Sequence, residues 1–262
     1  MRLGFSPVTA QMFDLDASFA LAQELGMEFL ELSGDLYEIA PALQDAQRVR
    51  ELCRATGLGV TVHLSYVDLN LASLIPAARR TSVERILSGL DYAEGLDAIC
   101  GVLHSGLHYL RHPQVDPLVT EALDASLREL EGSRVPIVLE NLVLTEDDFV
   151  RGPGELRDLT RAHGMRNCVD FGHAHIEATR TGSVSIEDYL STLGDDVIHL
   201  HLHNNHGLRD EHLSTDAGTI DYRAHRDYLA HFAGTVCLEI LTGEAGVRAS
   251  VAHLNALAGG ES

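Results

Sequence analysis

Residues 197–212, VIHLHLHNNHGLRDEH, combine strand-like alternation with side chains that bind metal ions. Histidine alternates with leucine in the first half, so the period of a β-strand places the imidazoles on one face. Imidazole with carboxylate is a ligand set for zinc, manganese or iron. The segment therefore predicts a metal site at the end of a strand. Its candidate ligands are His199, His201, His203, Asp210 and His212.

Histidine, aspartate or glutamate also lies at the ends of several other β-like runs. A charged group inside an apolar run is costly unless it is paired or bound to metal. One such residue can be accidental, but a series at the ends of six consecutive runs is poorly explained by packing. The candidate site residues of this series are His63, His104, Glu140, Asp170, His173, His201, Asp210, His212 and Glu239.

Short β-like runs alternate with amphipathic helical patterns along the whole chain. The predicted strands are Leu3–Pro7, Phe29–Ser33, Gly59–Ser65, Ala98–Ser105, Pro136–Leu142, Asn167–Gly172, Val197–His203 and Thr235–Leu241. The predicted helices are Asp16–Gly26 with Asp16 as N-cap, Pro41–Thr56, Pro76–Glu94, Asp116–Glu131, Gly154–His163, Ile186–Leu193, Asp221–Phe232 and Glu244–Leu257.

This alternation predicts an α/β fold, a single-domain (β/α)8 TIM barrel over residues 1–262. A doubly wound open sheet is the alternative, but no glycine-rich phosphate loop follows the first strand. In a barrel, the carboxyl ends of the strands meet at one mouth, where active sites lie. The series of polar strand ends would then form one site.

Composition excludes several kinds of chemistry. The 19 basic residues are all arginine, so there is no lysine for a Schiff base or a Walker-type phosphate loop. A net charge of −20 disfavours general nucleic-acid binding. No run is apolar enough for a membrane span, so we expect a cytoplasmic protein with no membrane partner. The four separated cysteines are expected to be reduced. A homo-oligomer is compatible with the sequence.

Three further residues are candidates for the substrate pocket. Glu31 ends the second predicted strand and can contact substrate or serve as a paired structural carboxylate. His203 shares the face of His201 and can face substrate or support a ligand. Tyr66 follows His63 by three residues and can line the pocket.

In this order, the motifs VHLSY, LHSG, LEN, VDFGHAH, HLHNN, RDEH and LEI resemble the xylose isomerase-like TIM barrel superfamily. The resemblance covers the whole chain. One branch contains ketose 3-epimerases and related sugar isomerases. It implies one divalent metal on Glu140, Asp170, His201 and Glu239, with the two glutamates as acid and base. It also implies that His173 contacts substrate, and that an arginine follows the seventh strand; Arg209 lies in that loop.

The other branch contains the apurinic-site endonucleases. Its three-zinc site implies that all nine predicted ligands bind metal, which favours hydrolysis. The acidic charge and the absence of lysine, tryptophan and an obvious DNA-inserting loop oppose that function.

Together these features predict an isomerase or epimerase of a sugar, sugar phosphate or polyol that requires one to three zinc, manganese or magnesium ions. Its mechanism would pass through an enediolate, with Glu140 and Glu239 transferring the proton. A multinuclear zinc hydrolase or phosphodiesterase is the alternative. A metal-storing or sugar-binding barrel without activity is a third hypothesis. The expected partner is a small molecule and not a nucleic acid.

Overall fold

Eight parallel strands close into a barrel in chain order in the computed structural model, which describes residues 1–143 and 147–260. Strand β1 pairs with β2 on one side and with β8 on the other, which closes the sheet. The predicted (β/α)8 fold is thereby confirmed. The strands are β1 (Arg2–Phe5), β2 (Phe29–Ser33), β3 (Gly59–His63), β4 (Gly101–Leu103), β5 (Ile137–Glu140), β6 (Arg166–Asp170), β7 (Val197–Leu202) and β8 (Thr235–Leu238).

Helices surround the barrel and connect consecutive strands. Short 3₁₀ turns occupy Pro41–Gln44 and Gly194–Asp196. Within the described ranges, the helices are all too short or too polar to cross a lipid bilayer. The helices are α1 (Leu15–Glu24), α2 (Gly34–Ile39), α3 (Ala46–Thr56), α4 (Pro76–Gly95), α5 (Asp116–Leu130), α6 (Pro153–Ala162), α7 (Phe171–Thr181), α8 (Ile186–Leu193), α9 (Arg226–His231) and α10 (Gly243–Gly259).

Helix boundaries differ from the sequence prediction where a side chain supplies an earlier or later cap. Helix α1 is capped by Asp14, not Asp16, because the Asp14 carboxylate accepts the N–H of Ala17. The predicted helix Pro41–Thr56 is interrupted, since Asp45 caps a new helix by accepting the N–H of Arg48. Helices α2 and α7 were not predicted, because each begins directly at the end of a strand with no loop to mark it.

The two faces of β7 have different surroundings, which explains why leucine and histidine alternate along the strand. Leu200 and Leu202 point outward and belong to the main apolar core beneath the helices. His199, His201 and His203 are fully buried on the other face. The interior beside them is narrow and contains a separate small cluster of Cys100, Val102, Val138 and Cys168. All four cysteines are free, as expected. The core thus lies mainly outside the barrel, and the interior is left for polar groups.

Candidate metal centre

A cavity of about 320 Å³ opens at the carboxyl ends of the strands; we call it the mouth cavity. A larger cavity, about 610 Å³, lies at the opposite end of the barrel, beside the first residues of β1, β7 and β8. We assign the site to the mouth cavity because the predicted strand-end side chains converge there. It is lined by Ser6, Val8, Thr9, Ser33, His63, Tyr66, His104, Glu140, His173, Asp210, His212, Glu239 and Leu241.

Local backbone geometry explains how the motif VDFGHAH supplies two candidate ligands, Asp170 and His173. Asp170 is the last residue of β6 and also the N-cap of α7. Its Oδ1 accepts the backbone N–H of His173 at 2.7 Å, and the first helical turn then carries the His173 side chain back over the barrel mouth. Asn141 braces the same corner, because it exchanges hydrogen bonds with the backbone N–H and carbonyl of Asp170.

The histidines and carboxylates at the barrel mouth fall into three groups of neighbouring side chains. The first, which we call the His63 cluster, contains His63, His104 and Glu140. Glu140 Oε2 is 3.1 Å from His104 Nε2 and 3.5 Å from His63 Nε2. The two imidazoles meet edge to face, with their centroids 4.9 Å apart. Two imidazole nitrogens and one carboxylate oxygen are a ligand set suited to zinc.

The second group, the His201 cluster, contains Glu140, Asp170, His201 and Glu239. His201 Nδ1 lies 3.2 Å from Glu140 Oε1, 3.4 Å from Glu239 Oε2 and 3.8 Å from Asp170 Oδ2. Glu140, Asp170 and His201 lie on the adjacent strands β5, β6 and β7, and Glu239 directly follows β8. Glu140 belongs to both clusters, with one oxygen toward each. A carboxylate placed in this way can bridge two ions.

The third group, the Asp210 cluster, contains His173, His203, Asp210 and His212. Asp210 Oδ2 is 3.0 Å from His212 Nε2 and 3.3 Å from His173 Nε2. His203 Nε2 lies between Asp210 Oδ1 at 3.4 Å and Asp170 Oδ1 at 3.2 Å. The loop after β7, which carries Asp210 and His212, therefore folds back over the barrel.

The orientation of three imidazoles fits metal ligation. In each, Nδ1 faces a backbone carbonyl: Leu64 for His63 at 3.1 Å, Asn141 for His173 at 2.9 Å, and Glu239 for His212 at 2.9 Å. A carbonyl only accepts hydrogen bonds, so Nδ1 carries a proton, and Nε2, which faces the carboxylates, is the nitrogen left for a metal once its own proton is lost. Metal-bound histidines are commonly held by their second nitrogen in this way.

Several buried polar atoms of the site have no aligned hydrogen-bond partner among the described residues. They include Asp170 Oδ2 and His203 Nε2. Unsatisfied buried groups of this kind are expensive, and a cation bound between them is one of their ordinary explanations. Together with the imidazole orientations, they show that this donor set fits a divalent metal.

Interactions with neighbouring histidines explain how several carboxylates can remain ionised close to one another. Burial alone would raise the pKa of Glu140, but His201 and hydrogen bonds from His104, His173 and His201 hold it well below its usual value. Burial would lower the pKa of His63 and His212, but their carboxylate neighbours raise each to about 9. In the absence of metal, protonated imidazoles therefore balance the negative charge, and protons compete with metal for the same nitrogens.

The structure brings all nine sequence-predicted ligands together, but it separates the predicted substrate-binding residues. His173 and Tyr66 line the mouth cavity. Glu31 and His203 are fully buried and do not line it. Arg209 is exposed on the loop after β7 and does not line it either. Sequence reasoning missed Ser6, Thr9 and Ser33, because small hydroxyl residues just after β1 or at the end of β2 give no distinctive pattern.

Comparison with known proteins agrees with this architecture. The family model described as "Xylose isomerase-like TIM barrel" matches residues 19–257. A D-tagatose 3-epimerase-like protein has 20% identity and a TM-score of 0.82, covering 100% of this chain and 98% of its own. The TTHB071 protein from Thermus thermophilus, in a structure obtained by soaking with ZnCl2, has 29% identity and a TM-score of 0.72. The match covers 99% of this chain and 98% of that protein.

Endonuclease IV from Thermus thermophilus has the same fold, with 20% identity and a TM-score of 0.72, covering 98% of both chains. At such identities, the epimerase-like protein and the endonuclease show the fold alone. The family match extends over nearly the whole chain and includes every cluster described above. The chain belongs to the xylose isomerase-like TIM barrel family.

Proposed function

We propose that the protein is a divalent-metal-dependent isomerase or epimerase of a small, uncharged sugar or polyol. The observation that carries this proposal is the lining of the mouth cavity. Hydroxyl groups of Ser6, Thr9, Ser33 and Tyr66 surround the carboxylates and imidazoles, and no arginine is among the described residues that line it. Its volume, about 320 Å³, is at the lower end of the roughly 300–1,000 Å³ typical of small-molecule sites. Such a lining suits a polyhydroxylated molecule better than an anionic one.

Two carboxylates can transfer protons at a carbon next to a carbonyl. A bound divalent ion would supply polarisation of the substrate oxygens. Glu239 enters the cavity from β8 and Glu140 from β5, so they approach the space beside His201 from different sides. Glu239 is the better first base, because both oxygens of Glu140 already contact imidazoles. Glu239 removes the proton, and Glu140 delivers from its own side a proton that the protonated His173 beside it passes on.

The direct test is incubation of zinc- or manganese-loaded protein with a panel of ketoses and aldoses in D₂O. Deuterium incorporated next to the carbonyl, observed by NMR together with the new isomer, is the expected result. Glu239→Gln should abolish the exchange. Glu244→Gln is the matched control, because Glu244 is an exposed glutamate of α10 that pairs with Arg248 and does not line the cavity. Absence of exchange with every sugar would contradict the proposal.

A second candidate, metal-dependent hydrolysis, is favoured by the position of Glu140. One of its oxygens faces the His63 cluster and the other faces His201 and His173. This is the arrangement of a carboxylate shared by two ions, and paired ions are typical of phosphoester hydrolysis. Turnover of bis-p-nitrophenyl phosphate without deuterium exchange on any sugar would place hydrolysis first.

A further inference from the structure

Glu31 is a fully buried carboxylate inside the barrel, deeper than the mouth cavity. It lies on β2, two residues before the end of the strand, and it pairs in register with Thr61 of β3. Placing an ionised carboxylate in such a position is costly unless several donors surround it. Three donors are present, and they divide between its two oxygens.

Oxygen Oε2 of Glu31 is already occupied. It accepts the Thr61 hydroxyl at 2.8 Å and lies 3.0 Å from His199 Nε2. The other nitrogen of His199, Nδ1, lies 2.6 Å from the Thr235 hydroxyl, which fixes that ring. Thr61 and His199 therefore hold the carboxylate in one orientation and leave Oε1 available.

Oxygen Oε1 faces His201. It lies 3.1 Å from His201 Nε2, although the two groups are not aligned as a hydrogen bond. Neither atom has another aligned partner among the described residues, so a small rotation of either side chain pairs them. The opposite nitrogen of the same ring, Nδ1, faces the carboxylates of the His201 cluster.

His201 differs from the three histidines whose Nδ1 atoms face backbone carbonyls, because its second nitrogen faces a side chain. Their Nδ1 atoms meet the carbonyls of Leu64, Asn141 and Glu239 in loops or just beyond strand ends. His201 instead points into the barrel from the next-to-last residue of β7, a position paired with β6 on one side and with β8 on the other. The Glu31 carboxylate, which extends from β2, lies within reach of its second nitrogen.

We propose that Glu31 is a positioning residue for the metal centre. It accepts the Nε2–H of His201 and thereby fixes the tautomer whose Nδ1 lone pair binds the ion. His199 and Thr61 act through Glu31 by holding its carboxylate. The inference rests on the proposed function only in requiring that a metal bind at His201, and it does not depend on which reaction follows.

The test measures metal affinity, which is separate from turnover. Zinc dissociation constants of wild type, Glu31→Gln and Glu31→Leu would be compared by competition with a chelating dye. We expect the affinity to fall about 10-fold for Glu31→Gln and about 100-fold for Glu31→Leu, the range observed when a ligand's supporting carboxylate is lost. Glu177→Gln is the matched control, since Glu177 is equally buried but bonds Tyr189 outside the barrel. Its affinity should equal that of wild type.

A spectroscopic measurement keeps the proposal testable if a variant does not fold. Long-range ¹H–¹⁵N correlation on zinc-loaded wild-type protein should show His201 protonated at Nε2 and ligated through Nδ1. A His201 ring protonated at Nδ1 would overturn the proposal, as would affinities within twofold of wild type in both folded Glu31 variants. Loss of affinity in these variants supports it even if no sugar is turned over, so the two proposals fail separately.

Discussion

The imidazole of His203 packs so closely on Gly172 that a β-carbon at Gly172 would lie 1.9 Å from the ring. His203 cannot retreat, because its other face stacks on His212 with centroids 4.0 Å apart. The glycine of the DFGH motif thus makes room for an imidazole that reaches both Asp170 and Asp210. Helix α7 and the loop after β7 are packed together through this contact.

Gly172→Ala should therefore disturb the Asp210 cluster. The methyl group must push the His203 ring away from its carboxylate partners, and overpacking of this kind costs about 1–3 kcal/mol. We expect a lower free energy of unfolding and weaker zinc binding, measured by urea denaturation and by chelator competition. Gly154→Ala on α6 is the control, since nothing lies within 4 Å of its β-carbon position. Equal zinc affinity in Gly172→Ala and wild type would contradict this account.

Glu140→Ala should remove most of the bound metal. Its carboxylate contacts His63, His104, His173 and His201, so its loss affects all three clusters at once. Glu239→Ala should have a smaller but clear effect, because Glu239 contacts His201 and, more distantly, His212. Elemental analysis after dialysis measures both. Full metal content in the two variants would rule out these carboxylates as ligands.

Replacing His63 and His104 together by alanine distinguishes one metal position from several. If the His63 cluster binds its own ion, the stoichiometry should fall by about one, because two of its ligands are lost. A single ion in the His201 cluster would leave the stoichiometry unchanged, and only substrate affinity would alter. We expect the fall, since the His63 and Asp210 clusters have no ligand role in a four-ligand site.

Zinc binding should release protons and strengthen as pH rises. His63 and His212 have pKa values of about 9, because contacts with Glu140 and Asp210 outweigh the effect of burial. Both imidazoles are therefore protonated near neutral pH, and a metal must displace those protons. Titration calorimetry in buffers of different ionisation enthalpy measures the release. Binding that is independent of pH between neutrality and about 9 would show that these nitrogens are not ligands.

The metal-loaded protein should not incise duplex DNA at abasic sites. A duplex binder needs cations at its rim, and this chain carries a net charge of −20 with no arginine among the described lining of its mouth cavity. A fluorescent abasic-site duplex at low salt, where electrostatic binding is strongest, gives the most permissive assay. Efficient incision there would make hydrolysis the first candidate function.

Local patterns predicted the barrel because each βα unit carries its own period, turn and cap signals. Alternation along β7 predicted the face of His201, and polar strand ends predicted the nine converging residues. The sequence predicted Glu31 as a possible paired carboxylate but not its partner, because the proximity of Glu31 to His201 arises only when the barrel closes. Whether Arg209 reaches the mouth cavity depends on the conformation of the loop after β7, which the neighbouring residues in the sequence do not predict. Helix α7 was missed because Asp170 ends a strand and caps a helix at the same residue.

The groups that orient the imidazoles differ in their sensitivity to mutation. His63, His173 and His212 are oriented by carbonyls of the main chain, which persist whatever side chain occupies those positions. His201 has a side chain as its partner, so a single codon change at position 31 can abolish the support. The orientation of His63 is therefore expected to survive a change of side chain at Leu64, whereas that of His201 should be lost on substitution of Glu31, although neither residue lines the cavity.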